Sequence, residues 1–158
     1  MSYEHYPVGK DSIVLKEQTD FPYFGKIEIY RKGNKIFNYS EKNLEIEGYP
    51  YQVCTEYDSV NSHWFYIFKY SDRPAPNKYL IVKGNLKEIK LIGITKNSSA
   101  DILGDIDYDG FIELGGLSEY TDSKTNFKKD YKIIKIKEGF PEDTILTKLF
   151  VNKIIKIR

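Results

Sequence analysis

Lys26-Ile27-Glu28-Ile29-Tyr30-Arg31-Lys32-Gly33-Asn34-Lys35-Ile36-Phe37-Asn38-Tyr39 is the stretch that decides the fold class. In an extended chain Ile27 and Ile29 share one face and Glu28 points away. Gly33-Asn34 tolerates positive φ, so the stretch predicts a hairpin with a two-residue turn there. Leu44 and Ile46 carry the alternation on to Gly48.

The same period recurs outward from this hairpin. Residues 51–55 read as a strand. His63-Trp64-Phe65-Tyr66-Ile67-Phe68-Lys69-Tyr70 is apolar on both faces, which predicts a central strand. Pro74 and Pro76 mark a loop, because proline cannot donate to a ladder. Residues 79–82, a turn at Gly84-Asn85 and residues 86–94 predict a second hairpin, followed by a polar connection at 96–99. Residues 131–137 read as a strand closed by Gly139 and Pro141, and 149–157 as one more. The best short helical candidate is 142–149, with Thr144, Ile145 and Thr147 counting against it.

Composition agrees. The 158 residues suit one domain, and 14 Tyr and 9 Phe against only two alanines, Ala75 and Ala100, favour strands. Lys plus Arg is 24 and Asp plus Glu is 23, so a general attraction to nucleic acid or anionic membrane is not indicated. Cys54 is the only cysteine, which excludes an intrachain disulfide and a Cys-based zinc site, and it is expected as a small buried hydrophobe. No apolar run approaches the ~20 residues that span a bilayer. The polar start, Met1-Ser2-Tyr3-Glu4-His5, does not read as a signal peptide. It fits a cytosolic protein or a mature segment whose signal was replaced by Met1.

The expectation is an all-β fold of antiparallel hairpins and meanders, either propeller-blade-like (a partial propeller) or a β-sandwich. It is expected as a single β-rich domain over 1–158, with 1–11 as a loosely ordered N-terminal segment. KIEIYRKGN (26–34), KYLIVKGN (78–85) and YKIIKIKEG (131–139) echo one another roughly fifty residues apart. Such a spacing suits four-stranded propeller blades, and it also arises by chance in a β-protein rich in Lys, Ile and Gly.

One stretch carries specific chemistry: Asp105-Ile106-Asp107-Tyr108-Asp109-Gly110-Phe111-Ile112-Glu113. Carboxylates at alternate positions converge on one centre, as a hard cation with oxygen ligands requires. Gly110 permits the sharp turn, the Phe111 carbonyl adds a neutral oxygen, and Glu113 closes the shell directly or through water. An EF-hand would need a bidentate Glu three residues beyond Glu113, where Gly116 stands.

With Gly104 before Asp105 and Glu113-Leu114 at its end, the stretch around 101–116 resembles the calcium loop of FG-GAP or VCBS-type repeats. These are the blades of integrin-like β-propellers. The resemblance implies that the loop links two strands and that Ca2+ rigidifies it. It also implies Asp105, Asp107, Asp109, the Phe111 carbonyl and Glu113 as ligands, with a structural rather than catalytic metal. Because cytosolic calcium is scarce, such a protein fits a periplasmic, extracellular or cell-envelope setting, and a cytoplasmic one stays open.

Catalytic spacing is missing. His5 and His63 belong to no HExxH or triad pattern, no Gly-x-Ser-x-Gly elbow or phosphate-binding glycine loop occurs, and Glu45, Glu47 and Glu56 read as solvent faces of strands. Tyrosine suits contact surfaces, and Tyr3, Tyr6, Tyr23, Tyr49, Tyr51, Tyr57 and Tyr120 fall near loops and strand ends. The sequence therefore points to a non-enzymatic, calcium-stabilised binding protein of the bacterial envelope with a protein partner, such as an immunity protein and its cognate toxin. The alternative is an adhesin or carbohydrate-binding module of a longer FG-GAP-like protein, using Trp64 or exposed tyrosines. A calcium-dependent hydrolase ranks last.

Overall fold

A computed structural model describes residues 3–18, 22–48, 54–71, 76–123 and 126–157. The elements in chain order are β1 (Glu4–Val8), β2 (Asp11–Gln18), β3 (Tyr23–Arg31), β4 (Asn34–Ser40), β5 (Ile46–Glu47) and β6 (Cys54–Asp58). They continue with β7 (His63–Tyr70), β8 (Lys78–Gly84), β9 (Ile89–Ile94), β10 (Ile102–Gly104), β11 (Glu113–Ser123), β12 (Asn126–Lys135) and α1 (Thr144–Ile157). The fold is all-β with one helix among the described residues.

A nine-stranded antiparallel sheet runs β1-β2-β3-β5-β7-β8-β9, with β4 added on β3 and β6 on β7; a three-stranded sheet runs β10-β11-β12. The large sheet folds over on itself. Ile13, Leu15, Ile27 and Ile29 from its first half pack with Ile46, Tyr66, Phe68, Leu80 and Val82 from its second. The opposite face of β7 and β8, carrying Phe65, Ile67, Tyr79 and Ile81, packs on Ile112, Leu114 and Ile136 beside the small sheet. Strand β7 is thus covered on both sides, as its apolar run foretold.

Several expectations are corrected. Residues 4–8, expected within a loosely ordered segment, form β1, because the Gly9-Lys10 turn brings them into register with β2 from Glu4↔Leu15 to Val8↔Asp11. The β3–β4 turn is Lys32-Gly33, one residue early; both have positive φ (50° and 80°), the geometry that matches strand twist. A bulge at Ile29/Tyr30 then shifts the register by one residue to Ile29↔Phe37. The second hairpin has a wider turn, since the Asn85 side chain accepts from the Lys87 and Glu88 amides (2.7 and 2.8 Å), and β9 begins only at Ile89. The echoing segments are not equivalent blades: β3 and β8 lie in one continuous sheet and β12 in the other. Of the strand expected at 51–55, residues 51–53 and the Cys54 side chain lie outside the described set.

The expected C-terminal strand is helix α1. Asp143 caps it, its Oδ1 accepting from the Leu146 amide at 2.8 Å. The β-branched residues of 149–157 suggested a strand, but the cap starts a helix and tertiary docking holds it. The Thr147 hydroxyl accepts from the Ile133 amide (3.0 Å), and the Phe150 ring meets Tyr131 at 5.8 Å.

Two buried charge networks brace the large sheet. Glu28, read as facing away from the core, is only 1% exposed. It lies beneath the ammonium groups of Lys16 (2.6 Å), Lys35 (2.9 Å) and Lys26 (3.4 Å) and accepts from the Tyr30 hydroxyl (2.5 Å). Asp11 takes a two-armed hydrogen bond from Arg31 (2.7 and 2.9 Å) and another from the Tyr66 hydroxyl, which itself accepts from Trp64 Nε1 at 2.6 Å. Glu47, expected on a solvent face, is buried and paired with Lys69 at 3.2 Å.

Burial pushes the Glu28 carboxyl up, but the hydrogen bonds from Lys16, Tyr30 and Lys35 outweigh it and hold the group well below the carboxylate range. At Asp11 burial likewise pushes up, and the bonds from Arg31 and Tyr66 prevail. Both groups bind protons less readily folded than unfolded. Their stabilisation is therefore present above the ordinary carboxylate values and is lost as pH falls through the folded ones. We expect melting temperatures to hold from pH 7 to about 5 and to drop below about pH 4. Glu28→Gln should flatten that drop; a wild-type protein that gains stability on acidification would contradict the assignment.

Candidate metal centre

Strands β10 and β11 pair antiparallel and end on Gly104↔Glu113, so residues 105–112 form the connecting loop. Gly110 makes its bend at φ +89°, and a Cβ there would come within 2.0 Å of Val60 Cγ2. The turn between β6 and β7 thus lies directly against the loop. Tyr108 also takes a positive φ (61°) and projects into solvent at 91% exposure.

The loop carboxylates share one pattern. Asp105 Oδ2 accepts from the Gly110 amide (2.9 Å), Asp107 Oδ1 from Asp109 (3.2 Å), Asp109 Oδ1 from Phe111 (2.9 Å) and Glu113 Oε2 from Ile106 (2.8 Å). Each acid commits one oxygen to folding the loop. Of the remaining oxygens, Asp105 Oδ1 and Glu113 Oε1 are buried with no hydrogen-bond partner, and Glu113 is wholly buried. Asp105, Asp107 and Asp109 each bring an oxygen within 4.8 Å of the others.

The structure therefore gathers the three predicted aspartates and places Glu113 on the adjoining buried side. The Phe111 ring lies 5.5 Å from Lys135 Nζ and 5.4 Å from Lys137 Nζ. All side-chain donors are hard oxygens, and two are buried without a hydrogen-bond partner, a set that a hard cation could use.

Sequence reading missed a basic residue at the centre. Lys135, directly across the hairpin from Glu113, bonds Asp109 Oδ2 and lies 3.7 Å from Glu113 Oε1, 3.8 Å from Asp107 Oδ2 and 3.6 Å from Asp143 Oδ2. Its bond to Asp109 raises the lysine above its ordinary value and, reciprocally, holds the Asp109 carboxyl low. Burial pushes the Glu113 carboxyl up; the Ile106 amide and Lys135 oppose this, and the charges of Asp107 and Asp109 reinforce it. The acidic loop thus has a tethered cation, and a metal must share these oxygens with it or displace it.

A second feature lies beyond that turn. Tyr57, Trp64, Tyr66, Lys10, Arg31 and Leu86 are among the residues lining a cavity of about 390 Å³. Tyr57 and Leu86 are 56% and 73% exposed at its rim. Of the other tyrosines singled out, Tyr3 is exposed and Tyr23 half-buried, while the side chains of Tyr6, Tyr49, Tyr51 and Tyr120 lie outside the described set. His5 sits in β1 and His63 opens β7 opposite Asp58. No helix of the described residues is long and apolar enough to cross a membrane. In comparisons with known proteins, the chain matches no family model, no curated protein and no solved structure.

Proposed function

We propose that this chain is a non-enzymatic, calcium-stabilised β-protein whose task is to bind a partner protein. In this reading it is an envelope module such as an immunity protein that neutralises a toxin. The observation that carries the calcium reading is the division of labour in the loop: four carboxylates each fold the backbone with one oxygen, and two of the remaining oxygens are buried without a hydrogen-bond partner. Asp105, Asp107, Asp109 and Glu113 would hold the ion, with the Phe111 carbonyl as the neutral ligand. Bound calcium would neutralise converging charge and fix the end of the small sheet against the β6–β7 turn.

The test is thermal melting with and without calcium. At ~100-fold excess over the dissociation constant a ligand adds about 2.7 kcal/mol by mass action. Millimolar calcium should raise the wild-type midpoint, a chelator should lower it, and Asp107→Ala should remove the difference. Identical wild-type melts in calcium and in chelator would end the metal reading. For the partner, the discriminating result is a 1:1 complex with one protein of the native organism, seen by co-purification and light scattering. The aromatic cavity at Tyr57 and Trp64 favours a second reading, a carbohydrate-binding module; a glycan array with Trp64→Ala as control separates the two.

A further inference from the structure

A different cavity, of about 350 Å³, opens where the large sheet meets the small one. Its large-sheet wall carries His63 and Phe65 of β7, Lys83 of β8 and Lys90 of β9, and Phe111 and Lys137 face them from the other side. The volume suits a small ligand.

The charge in this wall is unusual. Lys83 stands directly opposite Lys90 in the β8–β9 ladder. Like charges so placed destabilise a sheet unless something answers them. Among the described residues, no carboxylate lies within ion-pair reach of Lys83 or Lys137, and Lys90 has only a long, exposed pair with Glu88 at 3.8 Å. Lys137 is held over the Phe111 ring. His63 Nδ1 is buried and has no hydrogen-bond partner.

Two acids also line the cavity, and neither is ion-paired with these lysines. Both Asp58 oxygens serve their own turn, accepting from the amides of Val60 (2.9 Å) and Asn61 (3.0 Å) and from Asn61 Nδ2 (2.8 Å). Glu138 is exposed to solvent.

We infer that this cavity binds a small divalent oxyanion of the phosphate class. Lys83 and Lys90 straddle it from one sheet and Lys137 closes on it from the other, with His63 in the same wall. A flat carboxylate offers one charge to three ammonium groups, whereas a tetrahedral dianion presents oxygens to several walls at once. The site does not depend on the calcium reading.

The test is calorimetric titration of the full chain with inorganic phosphate in metal-stripped, low-salt buffer, which removes calcium from the experiment. Phenyl phosphate serves as a monoester and acetate as a monoanion. One saturable phosphate site is expected, with acetate far weaker. Lys83→Met and Lys90→Met should each weaken phosphate at least tenfold, while Lys87→Met, which removes an exposed charge from the β8–β9 turn outside the cavity, should leave it unchanged. Lys90 is exposed, so its variant tests the site even if Lys83→Met folds poorly. The ring nitrogen resonances of His63 should move on titration. Preference for phosphate or for phenyl phosphate identifies a free ion or an ester as the natural ligand. The proposal is overturned if wild type shows no saturable binding, if Lys87→Met weakens it as much as Lys90→Met, or if the His63 resonances stay fixed.

Discussion

Asp11→Ala should cost the fold about 3–5 kcal/mol, the range for removing one partner of a buried ion pair. Asp11 is 5% exposed and receives Arg31 on two oxygens and Tyr66 on one of them. Without it, the half-buried guanidinium loses its counter-charge, and the Tyr66 hydroxyl, itself fed by Trp64, loses its acceptor. The damage spreads because Arg31 also donates to the carbonyls of Asn85 and Leu86, both at 3.1 Å, and so ties β3 to the β8–β9 turn. In a chain of this size that loss lowers the melting temperature by roughly 10 °C. Urea melts of Asp11→Ala and of Tyr66→Phe measure it, with the second variant losing less because the ion pair survives. A loss under about 1 kcal/mol for Asp11→Ala would show that the network contributes no more than a surface pair.

Lys135→Met should act in opposite directions with and without metal. In metal-free protein it removes the ammonium group shared by Asp107, Asp109 and Glu113, leaving converging carboxylates to repel one another, so the midpoint falls. With calcium it removes a competitor for the same oxygens. Calcium affinity should then rise at least tenfold, worth about 1.4 kcal/mol. The calcium-induced gain in melting temperature should be larger in the variant than in wild type, and calorimetric titration gives the affinities directly. Equal gains in both proteins would mean that Lys135 and the ion do not contend for the loop.

Much of this architecture is legible in the chain. Ile27 and Ile29 announce a sheet face, and the run from His63 to Tyr70 announces a strand covered on both sides, because burial leaves a direct mark on side-chain type. The three aspartates are equally readable, since a turn forces alternate residues inward over a few bonds. Lys135 is not readable, and the reason is a register shift. The β11–β12 hairpin pairs Ser123↔Asn126 near its turn but contains a bulge between Leu117 and Glu119. Counting back from the turn without the bulge would set Ile136 across from Glu113; the extra residue sets Lys135 there instead. A one-residue slip exchanges every inward side chain for an outward one, and no local pattern records it. The far part of helix α1, beyond the helical candidate at 142–149, escaped for a related reason: the helix depends on the Asp143 cap and on contacts with β12, while the composition of 149–157, rich in isoleucine, suggests extension.

That helix also decides where the small sheet stops. One side of β12 is occupied by β11. On the other, the Ile133 amide donates to the Thr147 hydroxyl and its carbonyl accepts from the Asp143 amide, with a bridge from Ile134 to Glu142 beside them. These are the groups that would otherwise invite a strand from another molecule. Had residues 149–157 been the strand their composition suggests, they would have prolonged the sheet and presented a new open ladder. With that segment coiled into a helix instead, Glu142, Asp143 and Thr147 occupy the end of the β12 edge at Ile133 and Ile134, where another molecule's strand would otherwise find open groups.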